Sequence, residues 1–119
     1  MRKFHNNPCG KTVGDCAVRA ISVALNIGWY DAYDLLCETG RHMCNMPNAD
    51  EVWGAVLVQN GFERHAIPRT MTAMEFAKAH PRGVYVLAFG GHVAAVRDGE
   101  VWDSWDSSND MPIYYYRRG

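Results

Sequence analysis

Residues 83–105 read GVYVLAFGGHVAAVRDGEVWDSW, and this stretch decides the predicted fold of the 119-residue chain. The run 83–89 is almost continuously apolar, which is typical of a central β-strand. The runs 92–97 and 100–105 flank Asp98-Gly99, and Asp-Gly between two strand-like runs is the strongest short-range signal for a β-hairpin. We therefore predict three consecutive antiparallel strands in this stretch.

The two-residue turn also predicts which side chains of this hairpin share a face. Side chains alternate along a strand, and directly opposed residues point to the same side of the sheet. With the turn at Asp98-Gly99, His92, Asp103 and Trp105 fall on one face, whereas Asp106 does not. Diagonal neighbours lie about 7–8 Å apart at the backbone, so the side chains of His92 and Asp103 can close this gap to a hydrogen bond.

The rest of the chain is mostly helical before this stretch and β-like after it. Apolar periodicity predicts four helices and two further strands. The helices span residues 16–25, about 30–39, 48–60 and 72–80, and the strands are 112–117 and a short one near 64–67. This segregation predicts an α+β fold, with N-terminal helices packed on a C-terminal antiparallel β-sheet, in a single domain over residues 1–119.

Several residues are predicted to define helix ends. Asp15 is a candidate N-cap for the first helix, and Gly40 is placed to end the second. Ser, Thr, Asp or Asn followed three residues later by Glu is the signature of a capping box. Two such pairs, Asn48 with Glu51 and Thr72 with Glu75, precede the third and fourth helices.

Composition and charge narrow the class of protein and its partners. The 12 basic and 13 acidic residues give a net charge of −1, which argues against binding nucleic acid or an anionic membrane. No apolar run approaches the roughly 20 residues that a membrane span needs. The first ten residues, MRKFHNNPCG, contain no apolar stretch of the kind found in a secretory signal. We therefore expect a cytoplasmic protein without a membrane partner, in which two disulfides among the four cysteines are not expected.

Cys16 lies where a turn gives way to the first predicted helix. It could be a buried core residue, a metal ligand, half of a disulfide or a nucleophile. A cysteine thiol has an ordinary pKa of about 8.5, and a helix N-terminus together with a nearby imidazolium lowers it. Since His92 and Asp103 share a face, a histidine that moves protons and a carboxylate that orients it are both available, and we favour the nucleophile.

These motifs resemble those of the papain-like cysteine peptidase superfamily. GDCAVRAI, residues 14–21, is similar to the nucleophile helix of that family, and GGHVAAVRDGEVWDSWD, residues 90–106, is similar to its histidine hairpin. As a whole, the chain also resembles small papain-fold proteins encoded by prophages and bacteria. The resemblance implies a minimal papain-like fold and a thiol protease or related amide hydrolase. Cys16 would be the nucleophile, His92 the general base and acid, and Asp103 the orienting residue.

The same resemblance implies a thioester intermediate, a peptide or protein substrate, and no metal or organic cofactor. The family carries an oxyanion-hole glutamine about six residues before the cysteine, and this position is Gly10 here. Asn7 or its neighbour Asn6, or the backbone N–H of Cys16, is the expected replacement. Trp105 is predicted to shield the bond between His92 and Asp103 from water.

Two other classes of function stay open at this stage. The first is a papain-fold binding or regulatory protein that keeps these residues and hydrolyses nothing. The second is an interaction module stabilised by zinc, because the chain repeats a Cys-x6-Cys spacing with histidines close by. The candidate ligands are Cys9, Cys16, Cys37, Cys44, His5 and His42. Structural zinc sites usually space paired ligands by two to four residues, so the zinc interpretation is disfavoured.

Overall fold

The computed structural model describes residues 2–3 and 6–118. Four helices and six strands are described, and they are numbered here in chain order. The helices are α1 (Cys16–Leu25), α2 (Trp29–His42), α3 (Asp50–Gln59) and α4 (Ala73–Ala79). The strands are β1 (Arg2–Lys3), β2 (Phe62–Ala66), β3 (Val84–Phe89), β4 (His92–Arg97), β5 (Glu100–Asp103) and β6 (Tyr114–Arg118).

The six strands form one sheet in the order β1-β5-β4-β3-β6-β2. All neighbouring pairs from β5 to β2 are antiparallel, and only the two-residue β1 runs parallel to its neighbour β5. Helix α1 packs on β4, with α2 and α3 beside it, while α4 contacts β5. The predicted α+β class, with helices packed on an antiparallel sheet, is therefore confirmed.

Alternation along β3 divides the core between the two faces of the sheet. Val86 and Ala88 pack with the core residues of α1, α2 and α3. Leu87, between them, packs with Phe76 of α4 and with Ala94 of β4. Both faces of β3 are therefore covered, which explains why its sequence is a continuous apolar run rather than an alternating one.

The predicted turn and register of the β4–β5 hairpin are confirmed. Ala95 lies opposite Trp102, as a two-residue turn requires. Asp98 and Gly99 both have positive φ, 49° and 81°, which is the backbone conformation of a type I′ turn. Strand β5 nevertheless ends at Asp103, so the prediction of a strand to residue 105 is wrong by two residues.

Helix α1 has the predicted bounds, but the predicted end of α2 at Gly40 is wrong. The helix continues to His42, and Gly40 is a buried position inside it. A Cβ atom at Gly40 would lie 2.9 Å from the carbonyl oxygen of Asn45, closer than real Cβ contacts. The glycine therefore allows the following loop to approach the helix, and it does not terminate the helix.

The two predicted capping boxes have different outcomes. Thr72 Oγ1 accepts a hydrogen bond from the N–H of Glu75 at 3.2 Å, and Glu75 accepts one from the N–H of Thr72 at 2.9 Å, so the box of α4 is confirmed. Helix α3 instead begins after Ala49 without a side-chain cap, and Glu51 accepts a hydrogen bond from Asn45. The predicted box at Asn48 is wrong because that glutamate bonds to the preceding loop.

The described helices are all too short to cross a bilayer. The longest, α2, has 14 residues, whereas a membrane span needs about 20 apolar residues. Within the described part of the chain, no helix combines the length and apolar character of a transmembrane segment.

Candidate active site

Three side chains predicted to act together lie at the ends of three elements. Cys16 is the first residue of α1, His92 the first residue of β4, and Asp103 the last residue of β5. Contact between α1 and β4 and the antiparallel pairing of β4 with β5 bring these ends to one place. The sequence separates Cys16 from His92 by more than seventy residues, so only the packing of α1 on the sheet joins them.

The carboxylate of Asp103 is buried and held by three donors. Its Oδ2 lies 2.6 Å from Nε2 of His92 and accepts a hydrogen bond from Ser107 Oγ at 2.7 Å. Its Oδ1 accepts a hydrogen bond from the backbone N–H of Ser104 at 2.8 Å. The side chain of Asp103 is only 2% exposed. These bonds fix the carboxylate, and the carboxylate fixes the orientation of the imidazole.

The imidazole of His92 links this carboxylate to the thiol of Cys16. Because Nε2 faces Asp103, Nδ1 is the ring nitrogen left to hydrogen-bond with Cys16. Burial lowers the pKa of His92, but the hydrogen bonds and negative charges of Asp103 and Cys16 outweigh it and raise the pKa to about 9. His92 is therefore an imidazolium at neutral pH.

The thiol of Cys16 is made more acidic by its surroundings. Burial raises its pKa, but the hydrogen bond and positive charge of His92, with hydrogen bonds from the backbone N–H groups of Val93 and Ala17, outweigh burial. The net pKa of Cys16 therefore lies below that of an ordinary thiol. Both shifts favour transfer of the thiol proton to the imidazole, and the thiolate–imidazolium pair that this transfer gives is the reactive form of a nucleophilic cysteine.

Two aromatic rings flank the imidazole. Trp105 stacks on His92 with ring centroids 4.1 Å apart, and Phe89 lies on it at 5.7 Å. Trp105 is 49% exposed, whereas the His92 side chain is only 10% exposed, so the indole lies between the imidazole and solvent. This position is the one that the shielding role predicted for Trp105 requires, and that role stays a prediction.

A buried ion pair beside the site was missed by the sequence reasoning. Asp15 does not cap α1, although it occupies the N-cap position. Its Oδ1 is paired with Arg19, and its Oδ2 accepts a hydrogen bond from the indole N–H of Trp29 at 3.0 Å. Arg19 also donates to Ser104 Oγ at 2.9 Å and so ties α1 to the residue that follows Asp103. The i, i+4 spacing of Asp15 and Arg19 was the signal in the sequence that could have predicted this ion pair.

Because the carboxylate of Asp15 bonds to Arg19 and Trp29, it does not cap the start of α1. The first backbone N–H groups of a helix have no intrahelical acceptor, and no side chain caps α1 in the described part of the chain. The N–H of Cys16 belongs to this first turn. A backbone donor for an oxyanion is therefore available next to the thiol.

The two asparagines predicted to assist this donor make hydrogen bonds elsewhere. The side-chain oxygen of Asn7 accepts hydrogen bonds from the N–H groups of Cys9 and Lys11, which folds its own loop. The amide of Asn6 donates to Ser22 Oγ at 2.8 Å. The bonds of Asn7 use only its oxygen, whereas an oxyanion needs a donor, so the role of Asn7 stays a prediction beside the backbone N–H of Cys16.

The described residues do not gather a zinc site. Among residues 2–3 and 6–118, no group of three His, Cys, Asp or Glu side chains is arranged to hold a metal ion. All four cysteines are free thiols, with Cys9 and Cys44 exposed. Of the two proposed histidine ligands, His42 is described and His5 lies outside the described residues.

Fold and site together define an α+β protein with a Cys-His-Asp cluster at the N-terminus of its first helix. No protein-family model, curated protein or solved structure matches the chain. The assignment to the papain-like superfamily therefore stays a prediction, based on the motifs around Cys16, His92 and Asp103.

The paired pKa shifts predict an unusual pH dependence of stability in Cys16→Ala. Folded wild type carries the pair's proton on His92 between the lowered pKa of Cys16 and about pH 9. The unfolded chain carries one proton on the cysteine, whose ordinary pKa is about 8.5, while its histidine, with an ordinary pKa of 6.5, is neutral. Both states hold one proton in this pH range, so the pair does not make the free energy of unfolding depend on pH there.

Without the thiol, only His92 contributes to the pH dependence of stability. Asp103 still raises the pKa of His92, so the stabilisation is fully present below pH 6.5 and is lost as pH rises through the raised pKa. We expect the free energy of unfolding of Cys16→Ala to fall, relative to wild type, by up to about 1.4 kcal/mol per pH unit between pH 6.5 and the raised pKa of His92. Urea unfolding at several pH values measures the difference, and parallel stability curves for the two proteins would contradict the ion pair.

Proposed function

We propose that this protein is a papain-like cysteine hydrolase that cleaves an amide bond in a peptide or protein, as a peptidase, isopeptidase or related amidase. The observation that carries the proposal is the continuous hydrogen-bonded path from Cys16 through His92 to the buried Asp103. The pKa of the thiol is lowered and that of the imidazole is raised to about 9, and both changes favour the protonation states that a nucleophile and a general acid need.

In the acylation step, the thiolate of Cys16 attacks the carbonyl carbon of the amide. A C–S bond forms, and the negative charge moves to the carbonyl oxygen, where the N–H of Cys16 at the start of α1 can stabilise it. Collapse of this intermediate breaks the C–N bond. The leaving nitrogen takes the proton of the His92 imidazolium and departs as an amine, leaving a thioester on Cys16.

In the deacylation step, the now neutral His92 accepts a proton from water while the water oxygen attacks the thioester carbonyl. The C–S bond breaks, the carboxylic acid leaves, and the thiolate–imidazolium pair is restored. Asp103 orients the imidazole throughout. An amine in place of water gives acyl transfer by the same steps.

The proposal includes a cytoplasmic setting. Exposed Cys9 and Cys44 are free thiols, and Cys16 must be reduced to act as a nucleophile. A reducing compartment keeps Cys9, Cys16 and Cys44 in the thiol form.

The test uses p-nitrophenyl acetate, a small activated ester that transfers its acetyl group to a reactive thiolate and releases nitrophenolate. We expect mass spectrometry after a short reaction to find the acetyl group on Cys16, and steady release of nitrophenolate to follow. Cys16→Ser should lose both signals, while the matched control Cys9→Ser, at an exposed thiol, should keep them.

The outcomes separate the alternatives. Equal acetylation of Cys9 and Cys16 would overturn the assignment of the nucleophile. Stable acetyl-Cys16 without turnover, in water and with an added amine, would favour the non-hydrolysing binding protein.

A further inference from the structure

Arg19 of α1 bonds to residues on both sides of the candidate active site. Its guanidinium pairs with the carboxylate of Asp15, and its Nη2 donates to Ser104 Oγ at 2.9 Å. Asp15 comes directly before Cys16 in the chain. Ser104 comes directly after Asp103. One side chain therefore joins the neighbour of the proposed nucleophile to the neighbour of the orienting carboxylate.

These contacts close a ring through the three side chains of the site. From Cys16 the ring passes through the imidazole of His92 to Asp103. The backbone N–H of Ser104 donates to Asp103 Oδ1, and the hydroxyl of the same serine accepts from Arg19. Through its carboxylate partner and one peptide bond, Arg19 leads back to Cys16. A closed ring permits fewer relative displacements than an open chain, so each contact helps to fix the thiol against the imidazole.

The guanidinium of Arg19 suits this place because it is buried and carries several donors in a fixed plane. Burial lowers the pKa of Arg19, and the negative charge of Asp103 opposes this change, so the two groups lie within electrostatic reach of each other. Arginine presents its N–H donors in a rigid fork, whereas lysine is a point charge on a flexible chain. The pair with Asp15 therefore also aims the donor that reaches Ser104.

The segment that follows Asp103 is fixed from the other face of the sheet as well. The backbone N–H of Met74, in the first turn of α4, donates to the carbonyl oxygen of Ser108 at 2.9 Å. Helix α4 thus holds the end of the segment 104–108, and Arg19 holds its start. Of these two supports, only the bond from Arg19 connects the segment to the helix that begins with the proposed nucleophile.

We propose that Arg19 is a positioning residue, which fixes the end of β5 relative to the start of α1 through its bonds to Ser104 and Asp15. Breaking the ring at either bond leaves the thiol and the imidazole chemically intact but misaligned. The effect on catalysis rests on the proposed function, whereas the alignment exists whether or not the protein hydrolyses an amide.

Ser104→Ala tests the ring at a single hydrogen bond, because it keeps the backbone N–H on Asp103 and the buried ion pair. A misaligned imidazole lowers the pKa of the thiol less. We therefore expect alkylation of Cys16 by iodoacetamide at about pH 6 to fall by about threefold or more. The difference from wild type should shrink toward about pH 9, where the pKa of His92 lies. Ser104→Thr, which keeps the hydroxyl at this half-buried position, should restore the rate.

Ser108→Ala is the matched control within the same segment. Ser108 is buried, and it bonds through its backbone to Asp106 and Met74 rather than to Arg19. The variant loses the same hydroxyl group and should keep the wild-type pH profile of alkylation. Identical profiles for Ser104→Ala and Ser108→Ala would overturn the proposal, because the bond to Arg19 would then have no effect of its own.

Arg19→Lys breaks the ring from the other side. It keeps a positive charge opposite Asp15 and removes the planar fork, so no buried carboxylate is stranded. The variant should shift the pH profile in the same direction as Ser104→Ala, and combining the two should add no further shift. Additive shifts would show that the two side chains act separately and would contradict the ring. If Arg19→Lys does not fold, the three serine variants decide the matter alone.

A measurement on the imidazole separates this proposal from the proposed function. In Cys16→Ser, which lacks the thiol, an NMR titration of His92 reports its bond to Asp103. Adding Ser104→Ala should lower the pKa of His92, because a misaligned carboxylate stabilises the imidazolium less, and adding Ser108→Ala should not. A lowered pKa without turnover of p-nitrophenyl acetate by wild type would keep the role of Arg19 and overturn the hydrolase. An unchanged pKa would overturn the role of Arg19, whether or not wild type turns over the ester.

Discussion

Replacing His92 by alanine is expected to slow alkylation of Cys16 by iodoacetamide at about pH 6 by at least tenfold. The substitution removes the hydrogen bond and positive charge that lower the pKa of the thiol, while burial, which raises that pKa, remains. A thiol with a pKa of about 8.5 is ionised to only about one part in 300 at pH 6. The less acidic thiolate is intrinsically more nucleophilic, with a Brønsted slope of about 0.4–0.5, which recovers only part of the loss.

The measurement is the rate of modification of Cys16, followed by mass spectrometry from about pH 5 to pH 9. Wild type should lose less of its rate toward the acidic end than His92→Ala, and the two proteins should converge toward about pH 9, where the pKa of His92 lies. His42→Ala, which removes an exposed histidine at the end of α2, is the matched control and should behave as wild type. Equal rates for wild type and His92→Ala at the acidic end would contradict the thiolate–imidazolium pair.

Replacing Arg19 by methionine is expected to lower the free energy of unfolding by about 3–5 kcal/mol. The side chains of Arg19 and Asp15 are only 7% and 5% exposed, so the substitution leaves a buried carboxylate without its counter-charge. Methionine keeps the length and helix propensity of arginine, so the loss reports the charge. Urea unfolding at neutral pH gives the free energy directly.

Two further variants identify the origin of this loss. Arg41→Met makes the same substitution at an exposed position of α2 and should change stability by less than about 0.5 kcal/mol. Adding Asp15→Asn to Arg19→Met removes the stranded charge and keeps an acceptor for the Trp29 indole. The double variant should therefore recover more than half of the loss. A loss below about 1 kcal/mol in Arg19→Met would show that Asp15 is not held by this pair.

The hairpin shows what local sequence can predict. Asp98-Gly99 fixes a two-residue turn because both residues tolerate positive φ, and the turn then fixes the register of β4 and β5. Register determines which side chains share a face, so the bond between His92 and Asp103 followed from the sequence before any tertiary contact was known. The roles of these residues in catalysis stay predictions.

Helix ends show where the same reasoning fails. Asp15 and Gly40 have the residue types of an N-cap and a helix stop, and neither acts as one. Arg19 and Trp29 take the oxygens of Asp15, and a neighbouring loop requires the absence of a Cβ at Gly40. In both cases other contacts outweighed a local preference, which for an N-cap is worth about 1 kcal/mol.

The sequence by itself determined the four helices and the strands β2 to β6 in outline, the α+β class and the shared face of His92 and Asp103, because these depend on periodicity and turn chemistry over a few residues. The tertiary structure alone decided that Cys16 meets His92, that the Asp15–Arg19 pair is buried, and that this pair reaches Ser104. Those contacts depend on how α1 packs on the sheet and against α2. That packing is set by the combined burial of apolar side chains from distant parts of the chain, and no short stretch of sequence encodes it.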